Sequence, residues 1–203
     1  MLLDADDCHL VLLDAQQRLM PAIADGPAVL ANLARVARGA RLLGVPCWAT
    51  EHNPQALGPL DASLRPLAQA VLPKMAFSAA EVLLPRVRPP VREQPGNARS
   101  LPRHLRKPAE PVETGPAGVL LAGCEAHVCL LQTALELLDE ELEVWVVTDA
   151  CGSRTERNRD AAFDRLAGAG CELVTTEMVL FEWLRSAEHP AFREVLELVK
   201  GPG

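Results

Sequence analysis

Three residues of types that together can perform covalent acyl chemistry stand at or beside the ends of apolar runs in this chain of 203 residues: Asp14, Lys74 and Cys129. Cys129 closes the segment Gly123-Cys124-Glu125-Ala126-His127-Val128-Cys129, which passes from an apolar run into an amphipathic pattern. A thiol in the first turn of a helix faces unpaired N–H groups and the positive end of the helix dipole, which favours a thiolate and lowers the thiol pKa. The same N–H groups are placed to hold an oxyanion. Asp14 ends the run 9–13, where a carboxylate needs a partner or water; it reads as a general base or as a cap or turn residue. Lys74, in VLPKMAFSA, reads as a chain snorkelling to solvent or as a cation paired with Asp14 and a thiolate. Taken singly, each has a simpler reading: a core cysteine, a turn aspartate and a surface lysine.

The elements that must position these residues follow from hydrophobic periodicity. Residues 9–13 read as a buried strand. Residues 27–43 place Val29, Leu30, Leu33, Val36, Ala37 and Ala40 at helical spacing, with Gly44 as C-cap. A second strand is expected at 45–49, an irregular stretch at 51–70, and a brief strand at 71–73 ahead of Lys74. Ser78 is expected to cap a short helix through Leu84, with Glu81 at the capping-box spacing. Residues 85–116, dominated by Pro, Arg and Gly, read as an irregular excursion, unusually long for a loop within one domain. Order returns with a strand at 117–122 and a helix over 126–140 that carries Val128, Leu131, Leu135 and Leu138 on one face. A strand at 144–148, a helix over 156–169 stopped by Gly170, a strand at 171–175 and helices over 177–187 and 190–200 complete the pattern. Continuous apolar strands alternating with helices predict an α/β fold: a three-layer α/β/α, Rossmann-like parallel sheet with helices on both faces, as a single domain over 1–203. Ligands of such sheets bind beyond the carboxyl ends of the strands. Asp14, the turn at 123–129, residues 50–53 and residues 149–154 all belong to that edge.

Composition narrows the function classes. Apolar residues make up 49% of the chain, enough for a core, and with no Tyr that core must be built mainly from Leu, Val and Ala. A net charge of −7 argues against nucleic acid as a partner; the basic stretch 86–107 reads as a solvated excursion. Six cysteines, none in CxxC pairs, argue against structural zinc and against a secreted disulfide scaffold. No run is long enough for a membrane span, and the start MLLDADDC is acidic where a signal peptide would be basic. The expectation is a soluble cytoplasmic protein with reduced thiols.

In combination and in order, LLDAQQRLMPAI, PKMAFSA and LLAGCEAHVCLLQTALELLDEELEVWVVTDACGSR resemble the isochorismatase-like cysteine hydrolases over nearly the whole chain. The hallmarks are Asp14 with Gln16; Lys74 with Phe77 and Ser78; and Gly123, Glu125 and Cys129 followed by Thr133 and Ala134. The later strand end Thr148-Asp149-Ala150-Cys151, with Ser153 and Arg154, matches as well. TEHNPQALG resembles the branch whose mammalian members are called isochorismatase domain-containing proteins.

The resemblance implies a Cys129–Asp14–Lys74 triad, in which Cys129 attacks a carbonyl, Asp14 takes the thiol proton and Lys74 holds Asp14. It also implies a cis peptide at Cys124–Glu125 that aims backbone N–H groups, including those of Glu125 and Cys129, at the oxyanion. Gln16, His52, Phe77 and Thr133 are the expected walls of a small-molecule pocket, and a homo-oligomer is expected. Related nicotinamidases hold a metal with an Asp-x-His pair, absent from Ala49-Thr50-Glu51-His52-Asn53-Pro54, so no metal and no cofactor are expected. Members that cleave the vinyl ether of isochorismate lack the cysteine, so Cys129 argues for amide or related acyl chemistry. Two other classes stay open: a non-catalytic interaction or assembly protein whose pocket is plugged by 85–107, and a redox-sensitive thiol protein with a second cysteine, such as Cys124, beside Cys129.

Overall fold

Six wholly buried residues, Cys8–Leu13, form the strand β1 at the centre of the sheet. The computed structural model describes residues 2–88 and 118–201. After β1 come α1 (Gly26–Leu43), β2 (Cys47–His52), the short α2 (Pro54–Leu57), β3 (Ala70–Lys74) and α3 (Ala80–Val87). Beyond residue 117 follow β4 (Gly118–Cys124), a π-helical turn (Ala126–Leu130) leading into α4 (Leu131–Asp139), and β5 (Glu143–Gly152). The chain then forms α5 (Glu156–Ala169), β6 (Glu172–Val174), α6 (Thr176–Leu184) and α7 (Phe192–Lys200).

All five strand pairings are parallel, in the order β3-β2-β1-β4-β5-β6. The expected α/β/α sandwich is therefore present. Residues of α1, α6 and α7, such as Leu33, Leu180 and Val195, pack with Leu10 and Leu12 on one face. Residues of α3, α4 and α5, such as Leu83, Leu137 and Leu166, pack with Val11 and Leu13 on the other. Alternate residues of β1 thus feed two separate cores, as the period of two in a strand requires.

The strand order reverses direction between β1 and β4, so the crevice between their carboxyl ends is the topological switch point of the sheet. Leu13 stands beside Gly123 there. Gly123 has φ +130°, and a Cβ on it would lie 2.1 Å from the Leu13 carbonyl oxygen. Only glycine lets the two backbones approach so closely.

Several boundaries differ from the sequence expectation, each for a tertiary reason. β2 runs to His52 instead of 49, because Thr50, Glu51 and His52 pair with Leu72, Pro73 and Lys74 of β3. β5 runs to Gly152 instead of 148 through a bulge, after which Cys151 and Gly152 pair with Gly123 and Cys124. At that bulge Asp149 accepts hydrogen bonds from the Thr176 N–H and hydroxyl at the start of α6. The helix expected over 126–140 is a π turn followed by an α-helix. α3 continues through Pro85 to Val87, correcting the loop expected from 85; the rest of that expected excursion lies outside the described residues. Ser78 does not cap α3 in a capping box. The first residue of that helix end, Ala79, donates its N–H to Thr133 Oγ1 of α4, while Ser78 bonds the Ala80 N–H and Glu136. Among the described residues, no helix is long and apolar enough to cross a membrane.

Gly123→Ala is expected to cost about 3 kcal/mol, because backbone strain and a backbone clash add. Gly44→Ala, at φ +77° with open space around its Cβ position, is expected to cost only about 1 kcal/mol. Urea denaturation of the two variants checks the difference.

Candidate active site

Asp14 leaves β1 in the left-handed region, at φ +48°, a conformation that Asp tolerates better than most residues. The turn sinks its carboxylate beneath the carboxyl ends of β2 and β3, where it has no solvent exposure. Thr50 at the end of β2 donates its hydroxyl to Asp14 Oδ1 at 2.6 Å and accepts the Asp14 N–H at 3.3 Å. Lys74, the last residue of β3, brings Nζ to 2.7 Å from Asp14 Oδ2, with both side chains buried. Its other donors reach the carbonyls of Phe77 at 2.8 Å and Ala76 at 3.2 Å. Both charges are therefore partnered, as a buried ion pair must be.

Cys129 arrives from the other side of the switch point. The peptide Cys124–Glu125 is cis, and the π turn that follows carries Cys129 as its fourth residue. In that turn the Glu125 carbonyl accepts from the N–H groups of Val128 and Leu130, passing over that of Cys129. The thiol shares one cavity with Asp14 and lies near enough to Asp14 and Lys74 for both to act on its titration. The three expected triad residues thus come together from β1, β3 and the π turn.

Electrostatics correct the expectation of a thiolate stabilised by the helix. Burial, and after it the Asp14 carboxylate, push the Cys129 thiol up to about 12, against an opposing pull from Lys74. Burial likewise raises Cys8, Cys47, Cys124, Cys151 and Cys171. What sets Cys129 apart is its neighbours: a carboxylate able to take its proton and a cation able to face the sulfur once the proton has gone.

The thiol opens on a cavity of about 280 Å³ lined by Asp14, His52, Phe77, Glu125 and Cys129, with Leu19, Leu57, Val128 and Arg154. His52 and Phe77 stand in this wall as expected, with ring centroids 5.3 Å apart. Gln16 and Thr133 stand behind it. Gln16 is fully buried, accepting the His52 N–H at 2.9 Å and donating to the Gly58 carbonyl at 2.6 Å, so it ties β2 to the loop after α2. Thr133 donates to the Cys129 carbonyl at 2.7 Å and accepts from Ala79, fixing the π turn against the segment after Lys74. Both are corrected from pocket walls to braces, since their polar atoms are consumed by backbone groups.

Other members of the site carry no role assigned from the sequence, though Arg154 stands in the strand-end motif that supports the family resemblance. Thr50 belonged to a strand end assigned to the correct edge, but its bond to Asp14 depends on β1–β2 register. Arg154 follows β5 and holds Glu125 Oε2 with both its N–H and its Nε at 3.0 Å. Leu19, Leu57 and Val128 carry no sequence mark that separates pocket from core. Glu51, beside His52, accepts from the Leu60 N–H at 2.8 Å and faces Arg65. The described residues contain no group of three or more His, Cys, Asp or Glu placed to hold a metal ion. Cys124, the nearest cysteine in sequence to Cys129, points its sulfur at Met20 Sδ, 3.8 Å away.

Residues 8–178 match the isochorismatase domain family. The chain is 34% identical to isochorismatase domain-containing protein 2 of Rattus norvegicus over 193 residues, 95% of this chain and 81% of that protein. The MAR1 ribonuclease of Caenorhabditis elegans superposes with a TM-score of 0.80 at 27% identity, covering 100% of this chain and 95% of that one. The YcaC gene product of Escherichia coli, described as an octameric hydrolase of unknown specificity, superposes with a TM-score of 0.74 at 23% identity. That superposition covers 96% of this chain and 94% of that one, a likeness of fold.

With the thiol held near 12, the thiolate fraction, and with it the rate of Cys129 alkylation by iodoacetamide, is expected to climb about tenfold per pH unit from 7 to 10. A plateau by pH 8, read by mass spectrometry of the labelled peptide, contradicts this. At pH 8, Asp14→Asn is expected to speed labelling and Lys74→Met to slow it, each by roughly threefold or more.

Proposed function

We propose that this chain, which belongs to the isochorismatase domain family, is a cysteine hydrolase that cleaves a small amide or related acyl compound through a thioester on Cys129. Family membership supports a hydrolase role. The observation that carries the finer reading is the buried Asp14 carboxylate, held by Lys74 at 2.7 Å and lining one cavity with Cys129.

The proposed chemistry balances within these residues. As the Cys129 sulfur bonds to the substrate carbonyl carbon, its proton passes to Asp14 and the carbonyl π electrons move to oxygen. Lys74, left beside a neutral Asp14, then compensates negative charge in the site. The backbone N–H groups of Glu125 and Cys129 are the proposed donors to the oxyanion. Collapse breaks the C–N bond, and the departing amine takes the proton from Asp14. Asp14, again a carboxylate, removes a proton from water as that water attacks the thioester; the C–S bond breaks and the proton returns to sulfur. His52 and Phe77 are the proposed contacts to the substrate, with Gln16 and Thr133 acting behind them. No cofactor enters this scheme.

The name of the C. elegans relative assigns ribonuclease to that protein. Here a net charge of −7 and a cavity whose two cations already hold carboxylates favour an acyl substrate over a polyanion. A redox role for Cys129 finds no support in the position of Cys124, which faces Met20. A homo-oligomer and a cytoplasmic location complete the proposal, the former in keeping with the octameric E. coli protein.

Wild-type enzyme incubated with a panel of small carboxamides and hydroxylamine is expected to yield the corresponding hydroxamates, the product of intercepting an acyl-enzyme. Cys129→Ser is expected to lower the rate about a thousandfold or more. A Cys129→Ser protein that releases amine as fast as wild type would remove the nucleophile from this scheme.

A further inference from the structure

The cavity in front of Cys129 has a division of character that bears on the substrate. Its outer wall is assembled from four apolar side chains brought by four separate segments: Leu19 ahead of the 3-10 turn Met20–Ala22, Leu57 at the end of α2, Phe77 after β3, and Val128 in the π turn. Its charged groups are already matched in pairs. Lys74 Nζ faces Asp14 Oδ2 at 2.7 Å and donates to the carbonyls of Ala76 and Phe77. Arg154 gives its backbone N–H and its Nε to Glu125 Oε2, which pairs its charge with that carboxylate. A substrate carboxylate would meet no uncompensated cation in this wall, and a substrate ammonium no uncompensated carboxylate. Either would have to shed water against leucine, valine and phenylalanine, which is costly for a charge without a partner. At about 280 Å³ the cavity lies at or below the lower end of pockets that take drug-sized ligands, roughly 300–1,000 Å³.

Resting on the cysteine-hydrolase reading, we infer that the site selects a small neutral substrate whose acyl group is apolar, a short branched or unbranched aliphatic chain or a single ring, seated against Leu19, Leu57, Phe77 and Val128. Selection acts through the reaction as well as through binding. The resting site is charge-balanced, with Asp14 against Lys74 and Glu125 against Arg154. Attack moves one proton to Asp14 and creates one oxyanion, which leaves Lys74 as its counter-charge. A second negative charge on the acyl group would compete with the oxyanion for Lys74.

The test uses three p-nitrophenyl esters with the same leaving group and acyl groups of similar size that cannot close on their own ester: 4-methylbenzoate, the terephthalate half-ester and 4-(aminomethyl)benzoate. In each, the Cys129 sulfur bonds to the acyl carbon and p-nitrophenolate departs, so nitrophenolate release and the mass of the acylated Cys129 peptide report one event. Cys129→Ala supplies the background. Methylbenzoate is expected to acylate Cys129 at least about tenfold faster than either charged ester. Leu57→Lys, on a half-buried position of the short α2, is expected to narrow the gap between terephthalate and methylbenzoate by raising the terephthalate rate. Terephthalate or aminomethylbenzoate reacting as fast as methylbenzoate overturns the neutral-acyl inference while leaving the cysteine-hydrolase reading in place. Failure of all three esters to acylate Cys129 above the Cys129→Ala background overturns both.

Discussion

A carboxylate sealed from solvent at the centre of a parallel sheet needs a cation close by, and Asp14 has Lys74 Nζ 2.7 Å from Oδ2 and the Thr50 hydroxyl on Oδ1. Removing one member of a buried pair typically costs about 3–5 kcal/mol, because the survivor is left charged and dry. Satisfying Asp14 therefore constrains everything around it. Lys74 must end β3 one strand beyond β2, Thr50 must lie in β2 in register with Leu72, and the chain after Lys74 must turn back so that Ala76 and Phe77 accept from its ammonium. Half of the site is thereby fixed by one ion pair.

The other half is fixed by the close approach of β1 and β4. Gly123 lets the two strands meet, the cis peptide after Cys124 turns the chain, and the π turn carries the Cys129 thiol over Asp14. Thr133 joins the halves by bonding both the Cys129 carbonyl and the Ala79 N–H. Burial and Asp14 push the thiol so placed upward, against the pull of Lys74. In the proposed reaction, charge on sulfur then appears only as the carbonyl is attacked, when its proton has moved to Asp14 and Lys74 is free to oppose the new negative charge. A site arranged this way keeps an idle thiolate from forming in the absence of substrate.

The sandwich was legible because its strands are unbroken apolar runs and its helices repeat their apolar residues every three or four positions; both patterns survive in sequence whatever lies next to them. The errors cluster where polar residues continue an element. Thr50 to His52 and Asp149 to Gly152 extend β2 and β5 because a neighbouring strand pairs with them, and no local pattern announces a pairing partner. The start of α3 was misassigned for the same reason, its N–H being capped by Thr133 from another helix.

Sequence by itself determined the layer architecture and marked Asp14, Lys74 and Cys129 as candidates on one strand edge, through motifs in a recognisable order. Tertiary structure alone decided that burial and Asp14 act on the thiol against Lys74, that Gln16 and Thr133 are braces behind the wall, and that Leu19, Leu57, Val128 and Arg154 complete it. The physical reason is common to all three. Protonation state, hydrogen-bond partner and the difference between a pocket and a core depend on what lies within a few ångströms in space, and for these residues those neighbours come from distant parts of the chain.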